Sequence, residues 1–293
     1  MSTAASIARN LGAQRQGHNW RCACPLGCGY SLSIADGEDG TLLVHCFGGC
    51  EFDDIHTSLV EYGLFDDDDA ELESKCRGVS PFVNGGRDQM RRTEGAIWVY
   101  EQARITEQVN VYLHTRGIAL SSPVLRFSSN APHRRLDIRL PAMVAPVVDI
   151  QGRQIGTHLT YLRADGSGKA ELGHRELQRE CHGEIRGGTI RLAPHNPDLD
   201  LIIGEGIETT ISAMQIFDLP GWSAVSAGGL KTLDLPPEVR RILIAADHDG
   251  SGCSQRNAIE AMQRWKIEGR IVHIVMPKVV GADFNDVLVK REG

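Results

Sequence analysis

The last hundred or so residues alternate short apolar runs with helix-like segments, and this alternation constrains the fold more than any other feature of the chain. The runs are "DLDLIIG", "WSAVSA", "RILIAAD" and "RIVHIVMP", interleaved with "IETTISAMQIF" and "SQRNAIEAMQRWKIEG". Strands and helices taking turns predict a parallel sheet with helices on its faces. Ligands of such sheets collect beyond the carboxyl ends of the strands. Two runs end there in acids: Glu205 follows "LIIG", and Asp247 and Asp249 follow "RILIAA". Gly250 and Gly252 allow the tight turn that would aim both aspartates the same way. Carboxylates in one crevice repel unless a cation sits among them, and hard oxygen donors suit Mg²⁺ or Mn²⁺ shared with a substrate phosphate. "GADFNDVL" adds Asp283 and Asp286 after the last strand. Helix capping explains any one of these acids, but explains the set poorly.

A second concentration of chemistry lies near the N-terminus, where Cys22, Cys24, Cys28, Cys46 and Cys50 account for five of eight cysteines. "CPLGC" and "CFGGC" flank a hairpin-sized insert, and two tight turns supplying two thiolates each match tetrahedral zinc. Cys24, Cys28, Cys46 and Cys50 are the favoured set, with Cys22 and His45 as alternates. Four protein ligands make such a zinc structural. The other possibility is free cysteines in a small core, which a module this poor in large apolar residues would struggle to fold around.

These features divide the chain into a zinc-binding module over 1–62, an acidic linker over 63–94, an α+β middle domain over 95–196 and the parallel-sheet domain over 197–293. The linker reading rests on four consecutive aspartates and weak periodicity. In the middle domain, "AIWVYEQARITEQVNVYLHTRG" reads as a helix closed by Gly117. "AMVAPVVDI" and "QIGTHLTYL" read as an antiparallel pair turning at Gly152. "ADGSGKAE" mimics a phosphate loop, but Arg163 and Ala170 stand where its first glycine and its Ser/Thr belong, so a turn between strands is expected.

The net charge of −7 excludes inferring nucleic-acid binding from overall charge, so any polyanion site must be a local basic patch or a metal site. No apolar run approaches the ~20 residues needed to span a bilayer, and no signal-like apolar segment opens the chain. A cytoplasmic location is expected, in which clustered thiols favour metal over disulfides.

"EGIETTISA" followed by "AADHDGSG" resembles the paired acidic motifs of the Toprim domain shared by topoisomerases, bacterial-type primases and certain nucleases. "CPLGC…HCFGGC" resembles the zinc module of bacterial and phage primases, with Gly27 where that module often has histidine and Cys28 one place later. "PAMVAPVVDIQGRQIGTHLTYLRADGSGKA" is similar to the segment preceding Toprim in plasmid- and phage-type primases. The resemblance implies a Toprim primase-like nucleotidyltransferase that makes short primers in DNA replication. Its partners would be a single-stranded DNA template, nucleoside triphosphates and a separate replicative helicase, with no membrane. Asp247, Asp249 and Asp286 would hold magnesium or manganese, and Glu205 would serve as general acid/base or as a further ligand. Gly204, Gly228 and Gly229 would let backbone approach the nucleotide, and Lys231 would pair with phosphate. The rival functions are a Toprim nuclease and a non-catalytic DNA-binding or recombination-mediator protein.

Overall fold

In the computed structural model the residues described are 4–16, 19–25, 32–37, 42–46, 52–61, 63–64, 86–183 and 185–292. The chain forms two compact units, Met1–Val83 and Asn84–Gly293.

The first unit holds a four-stranded antiparallel sheet in the order β1 (Gln14–Gln16), β2 (Asn19–Cys22), β3 (Leu32–Asp36), β4 (Leu42–Cys46). Helices α1 (Ala4–Asn10) and α2 (Phe52–Glu61) accompany it. Ile7, Leu32, Ile34, Ile55 and Leu59 pack with Cys22, Cys24 and Cys46 in one core. Leu32 pairs across the ladder with both Cys22 and Cys46, which brings two of the three described thiols onto the strands flanking β3. Burial pushes the Cys22 thiol up to about 11, the condition of a neutral apolar side chain. Cys28 and Cys50 lie outside the described residues, and no three metal-ligating side chains converge among the described ones.

The second unit begins with α3 (Gly86–Gln102) and α4 (Glu107–Thr115). Two expectations are corrected here. Helix α3 starts at Gly86, inside the segment read as linker to residue 94. Ala96 and Val99 anchor its buried face, and the polar but helix-compatible residues before them extend it. Helix is also interrupted at 103–106, because Arg104 exchanges backbone hydrogen bonds with Phe127 instead of continuing the turn. Gly117, at φ 69°, closes α4 as expected.

A second antiparallel sheet follows in the order β5 (Arg126–His133), β6 (Ile138–Val148), β7 (Gln154–Tyr161), β8 (Arg179–Gly183). The expected pair is β6 and β7, turning at Gly152 with φ 81°. The stretch from Arg163 to Lys169 is a turn closed by the Leu162–Lys169 bridge and the Arg163 N–H to Gly168 carbonyl bond of 2.9 Å, followed by a short 3₁₀ turn at Arg175–Gln178 and β8 and not by an α-helix.

The third sheet contains β9 (Ile190–Arg191), β10 (Leu201–Gly204), β11 (Gly221–Ser223), β12 (Arg241–Ala245) and β13 (Ile271–Val275), in the order β13-β12-β10-β11-β9. Its first four strands are parallel, as the alternation predicts, and β9 adds antiparallel to β11. That pairing crosses the boundary drawn at 196/197, so the middle and C-terminal regions share a sheet. Successive residues of β10 face opposite sides. Ile202 joins Ile207 and Ile211 of α5 (Ile207–Phe217) and Phe284 and Leu288 of α8 (Phe284–Glu292). Leu201 and Ile203 join Leu230 of α6 (Ala227–Thr232) and Ala258, Ala261 and Trp265 of α7 (Cys253–Ile267). This period of two on a sheet covered on both faces is what "LIIG" encodes. The Ile202 core continues into Val109, Tyr112, Met143 and Val147 of the middle region, so one apolar mass supports both sheets. No helix among the described residues is long and apolar enough to cross a membrane.

Candidate active site

Parallel pairing of Gly204 with Ala245 places the ends of β10 and β12 side by side. Glu205 leaves one and Asp247 the other, so two acids distant in sequence enter one crevice. Glu205 is 6% exposed; its Oε2 accepts a 3.1 Å hydrogen bond from Ser254 Oγ. Its Oε1 and Asp247 Oδ1 are buried without a hydrogen-bond partner among the described residues. Burial pushes the Glu205 carboxyl above its ordinary range, Asp247 and Asp249 add to this, and hydrogen bonds from Ser254 and the Asp247 amide oppose it. Burial and then the charge of Asp283 raise Asp247, against a hydrogen bond from Thr209. Two carboxyls held this way, each with an orphan oxygen, are costly without a cation.

Asp249 has a different surrounding. Its Oδ1 accepts from Ser251 Oγ at 2.8 Å and Cys253 N at 3.1 Å, and its Oδ2 from Ser254 N at 2.7 Å. It therefore caps α7 while standing beside Glu205 and Asp247. Burial works to raise its carboxyl, but the bonds from Ser254, Ser251 and Cys253 outweigh it and hold the group below the usual range. Asp283 and Asp286 exchange backbone-to-carboxylate bonds of 3.1 and 2.9 Å around the start of α8. His248 fastens this segment to the aspartate loop through bonds to Pro277, Gly281 and Ala282, which brings Asp283 into the electrostatic reach of Asp247. Asp286 is exposed and joins the cluster through Asp283.

A third strand end contributes strain. Val225, just past β11, sits at φ 72°, a region β-branched residues avoid. Its amide donates to Ser223 Oγ, which in turn donates to the Glu205 carbonyl, each at 3.1 Å. Gly204 and Gly229 have internal reasons to be glycine. A Cβ would lie 2.3 Å from Thr210 Oγ1 at the first and 1.9 Å from the Ala224 carbonyl oxygen at the second. Gly228 lies in α6 beside Gly229, and Lys231 pairs with Glu260 of α7 at 3.0 Å.

Sequence reasoning missed a buried network one helical turn beyond Glu205. Glu208 accepts hydrogen bonds at its Oε1 from Tyr112 Oη at 2.6 Å and Lys169 Nζ at 2.8 Å. Burial alone would raise Glu208, but Lys169 and Arg179 hold it well below the usual carboxylate range. Burial lowers the neighbouring His158 to about 4, with Arg179 adding to the effect, so it is neutral. Arg179 is exposed, makes no side-chain hydrogen bond among the described residues, and its Nη1 stands 4.0 Å from where a Gly206 Cβ would be. The second glutamate of "EGIE" was the one local signal; Tyr112, Lys169 and Arg179 arrive from distant segments. Arg163 pairs with Glu171 at the surface.

All-oxygen donors suit a hard divalent cation. No three ligating side chains gather among the described residues; Mg²⁺ habitually takes one or two carboxylates and completes its shell with water and substrate phosphate. Glu205 and Asp247 supply the unpartnered oxygens such an ion requires.

Residues 200–292 match the Toprim domain, and residues 90–192 match a domain of unknown function, DUF7146. No curated protein matches the chain. Solved structures with similarity include the zinc-binding and RNA polymerase domains of the Aquifex aeolicus primase, at TM-score 0.44 and 14% identity over 99% of this chain and 80% of that one. A DNA primase domain from Pseudomonas aeruginosa gives 0.43 and 18% over 69% and 75%. The primase fragment of the bacteriophage T7 primase-helicase gives 0.39 and 10% over 90% of each. The crevice of Glu205, Asp247 and Asp249 thus belongs to a mixed α/β chain whose C-terminal region, residues 200–292, is a Toprim domain.

Proposed function

We propose that the protein is a primase-type nucleotidyltransferase that extends short primers on a single-stranded DNA template. The observation that carries this reading is the pair of buried carboxylate oxygens without partners among the described residues, Glu205 Oε1 and Asp247 Oδ1, at the carboxyl ends of adjacent parallel strands. Asp247 and Glu205, with Asp249, Asp283 and Asp286 alongside, would hold magnesium or manganese. When bound, that metal supplies charge neutralisation for a triphosphate and for the oxygens of phosphoryl transfer. Arg179, exposed beside Gly206, would meet the incoming phosphates. Glu205 would face the metal through Oε1, the oxygen without a partner among the described residues. Ser254 orients it through Oε2 and leaves Oε1 open.

The zinc module would use Cys24, Cys28, Cys46 and Cys50. In its support, Cys24 and Cys46 share one buried core, and the Cys22 thiol is neutral there. The helicase partner follows from the resemblance alone. Incubation with single-stranded template, labelled nucleotides and Mg²⁺ or Mn²⁺ tests the function. New short products absent in Glu205→Gln support it. Metal-dependent shortening of labelled DNA would make the protein a nuclease, and template binding without turnover would make it a non-catalytic module.

A further inference from the structure

At the β5 edge of the middle sheet, a different sheet from the one that delivers the acids, lies a cleft of about 470 Å³ between the end of α3 and the β5–β6 hairpin. Its volume falls in the range of small-ligand sites. It lies wholly within the region that matches a domain of unknown function. Trp98 lines it and is 53% exposed, whereas Trp222 and Trp265 are 3% and 0% exposed. Val99, the next residue of α3, already faces the core, so the indole is on the outer side of the helix with nothing of this unit covering half of it.

Two arginines share the cleft. Arg104 donates to the carbonyls of Glu101 and Ala103, at 2.9 and 3.2 Å, and Arg139 to that of Asn130 at 2.6 Å. Both are exposed, and neither is paired with a carboxylate among the described residues. They belong to a local excess of charge, since the hairpin from Arg126 to Arg139 carries four arginines against one aspartate in a chain of net −7.

The backbone also leaves the ladder here. The β5–β6 ladder pairs Ser128 with Ala142 and then Ala131 with Leu140, so Ser129 and Asn130 are left out of the ladder at the cleft. Thr106 Oγ1, on the cleft lining, is buried without a hydrogen-bond partner among the described residues. A flat exposed aromatic, guanidinium groups without carboxylate partners and an unpartnered hydroxyl together match an unpaired base and its flanking phosphates. A duplex keeps its base faces stacked and could not use the indole. We infer that this cleft binds single-stranded nucleic acid, with a base stacked on Trp98 and phosphates on Arg104 and Arg139. It deepens the proposed function by giving the template a hold on a different sheet from the acids, and rests on that reading only for calling the strand a template.

The test is binding of full-length protein to an unlabelled dT oligomer, and separately to rU, without added Mg²⁺, Mn²⁺ or nucleotides, followed by tryptophan emission. The wild type should lose emission on binding, and Trp98→Leu should remove that part of the quench and weaken Kd about tenfold, within the roughly 5- to 150-fold expected for one stacked base. Arg139→Ala should weaken binding and shallow the salt dependence by about 0.7 in log–log slope. If Trp98→Leu lowers the melting temperature, Arg104→Ala/Arg139→Ala at the wild-type melting temperature carries the test. Unchanged affinity in both variants, or equal binding of a duplex, overturns the inference. Trp98-dependent binding to either sugar supports it, even if the wild type makes no primers, in which case the proposed function falls and the cleft stands.

Discussion

Two buried glutamates of the same compact unit show opposite designs. Glu180, on β8, receives the amides of Arg134 and Arg135 at 3.0 and 3.1 Å, Tyr161 Oη at 3.0 Å and His182 Nε2 at 3.0 Å, with His133 and the Arg135 guanidinium beside it. Burial would raise it, but these bonds outweigh burial and lower it to about 2. Glu205 is as thoroughly buried, yet it has an orphan oxygen and acids for neighbours, and its carboxyl is raised. The first is a satisfied charge that pins the β5–β6 hairpin to β8. The second is an unsatisfied one, which stability alone does not account for. A buried acid becomes a functional candidate through what its environment leaves unpaired.

The largest effect that would sharpen this contrast is on turnover. Under the proposed function, Asp247→Asn and Glu205→Gln should each reduce primer synthesis by about 10²- to 10⁴-fold, with far-ultraviolet circular dichroism unchanged. Glu180→Gln at equal folded fraction should leave turnover near wild type. Comparable losses in all three would erase the distinction.

Stability should respond the other way. Glu180 has its folded pKa below the unfolded value, so its contribution is present above about 4.5 and is lost as pH falls toward about 2. A shift of this size corresponds to about 3 kcal/mol at neutral pH. Urea unfolding of Glu180→Gln at pH 7 should show a loss of that order, and the variant should lack the wild-type decline through that acid window. An unchanged midpoint would mean the hairpin is held by packing alone.

Much of this site is legible in the amino-acid sequence. The parallel order of β10 and β12 and the delivery of Glu205 and Asp247 to one edge follow from two apolar runs ending in acids, because strand direction and period are local properties. The break between α3 and α4 is not legible there, since Arg104 leaves the helix to pair with Phe127, a partner that local periodicity cannot reveal. Asp283 comes within electrostatic reach of Asp247 because His248 ties two loops together, and the Glu208 network draws on Tyr112, Lys169 and Arg179. Such contacts are decided by tertiary packing, so their residues carry no pattern in the chain. Cys28 and Cys50, half of the favoured zinc set, lie outside the described residues.

The Glu208 network offers a smaller test. Lys169→Met should cost about 2 kcal/mol, below the usual cost of breaking a buried ion pair, because its side chain is 25% exposed and Tyr112 and Arg179 still face Glu208. Thermal melting at pH 7 reads it. A loss restored by adding Glu208→Gln would identify the ion pair as the cause, and independent losses would place the effect elsewhere.

The central claim is that Glu205 and Asp247 are held at a stability cost in order to receive a divalent cation. It is tested most directly by the melting temperature of wild type and Glu205→Gln at pH 8, with EDTA and with Mn²⁺. Because the folded-state pKa of Glu205 is raised, its charge removes stability as pH climbs from the unfolded value through the folded one. The neutral variant should therefore melt higher than wild type in EDTA. Mn²⁺ at about 100 times its Kd should stabilise wild type by about 2.7 kcal/mol, a rise of several degrees, and leave Glu205→Gln nearly unmoved. A variant that melts lower than wild type in EDTA, or that keeps the full Mn²⁺ shift, would contradict the account.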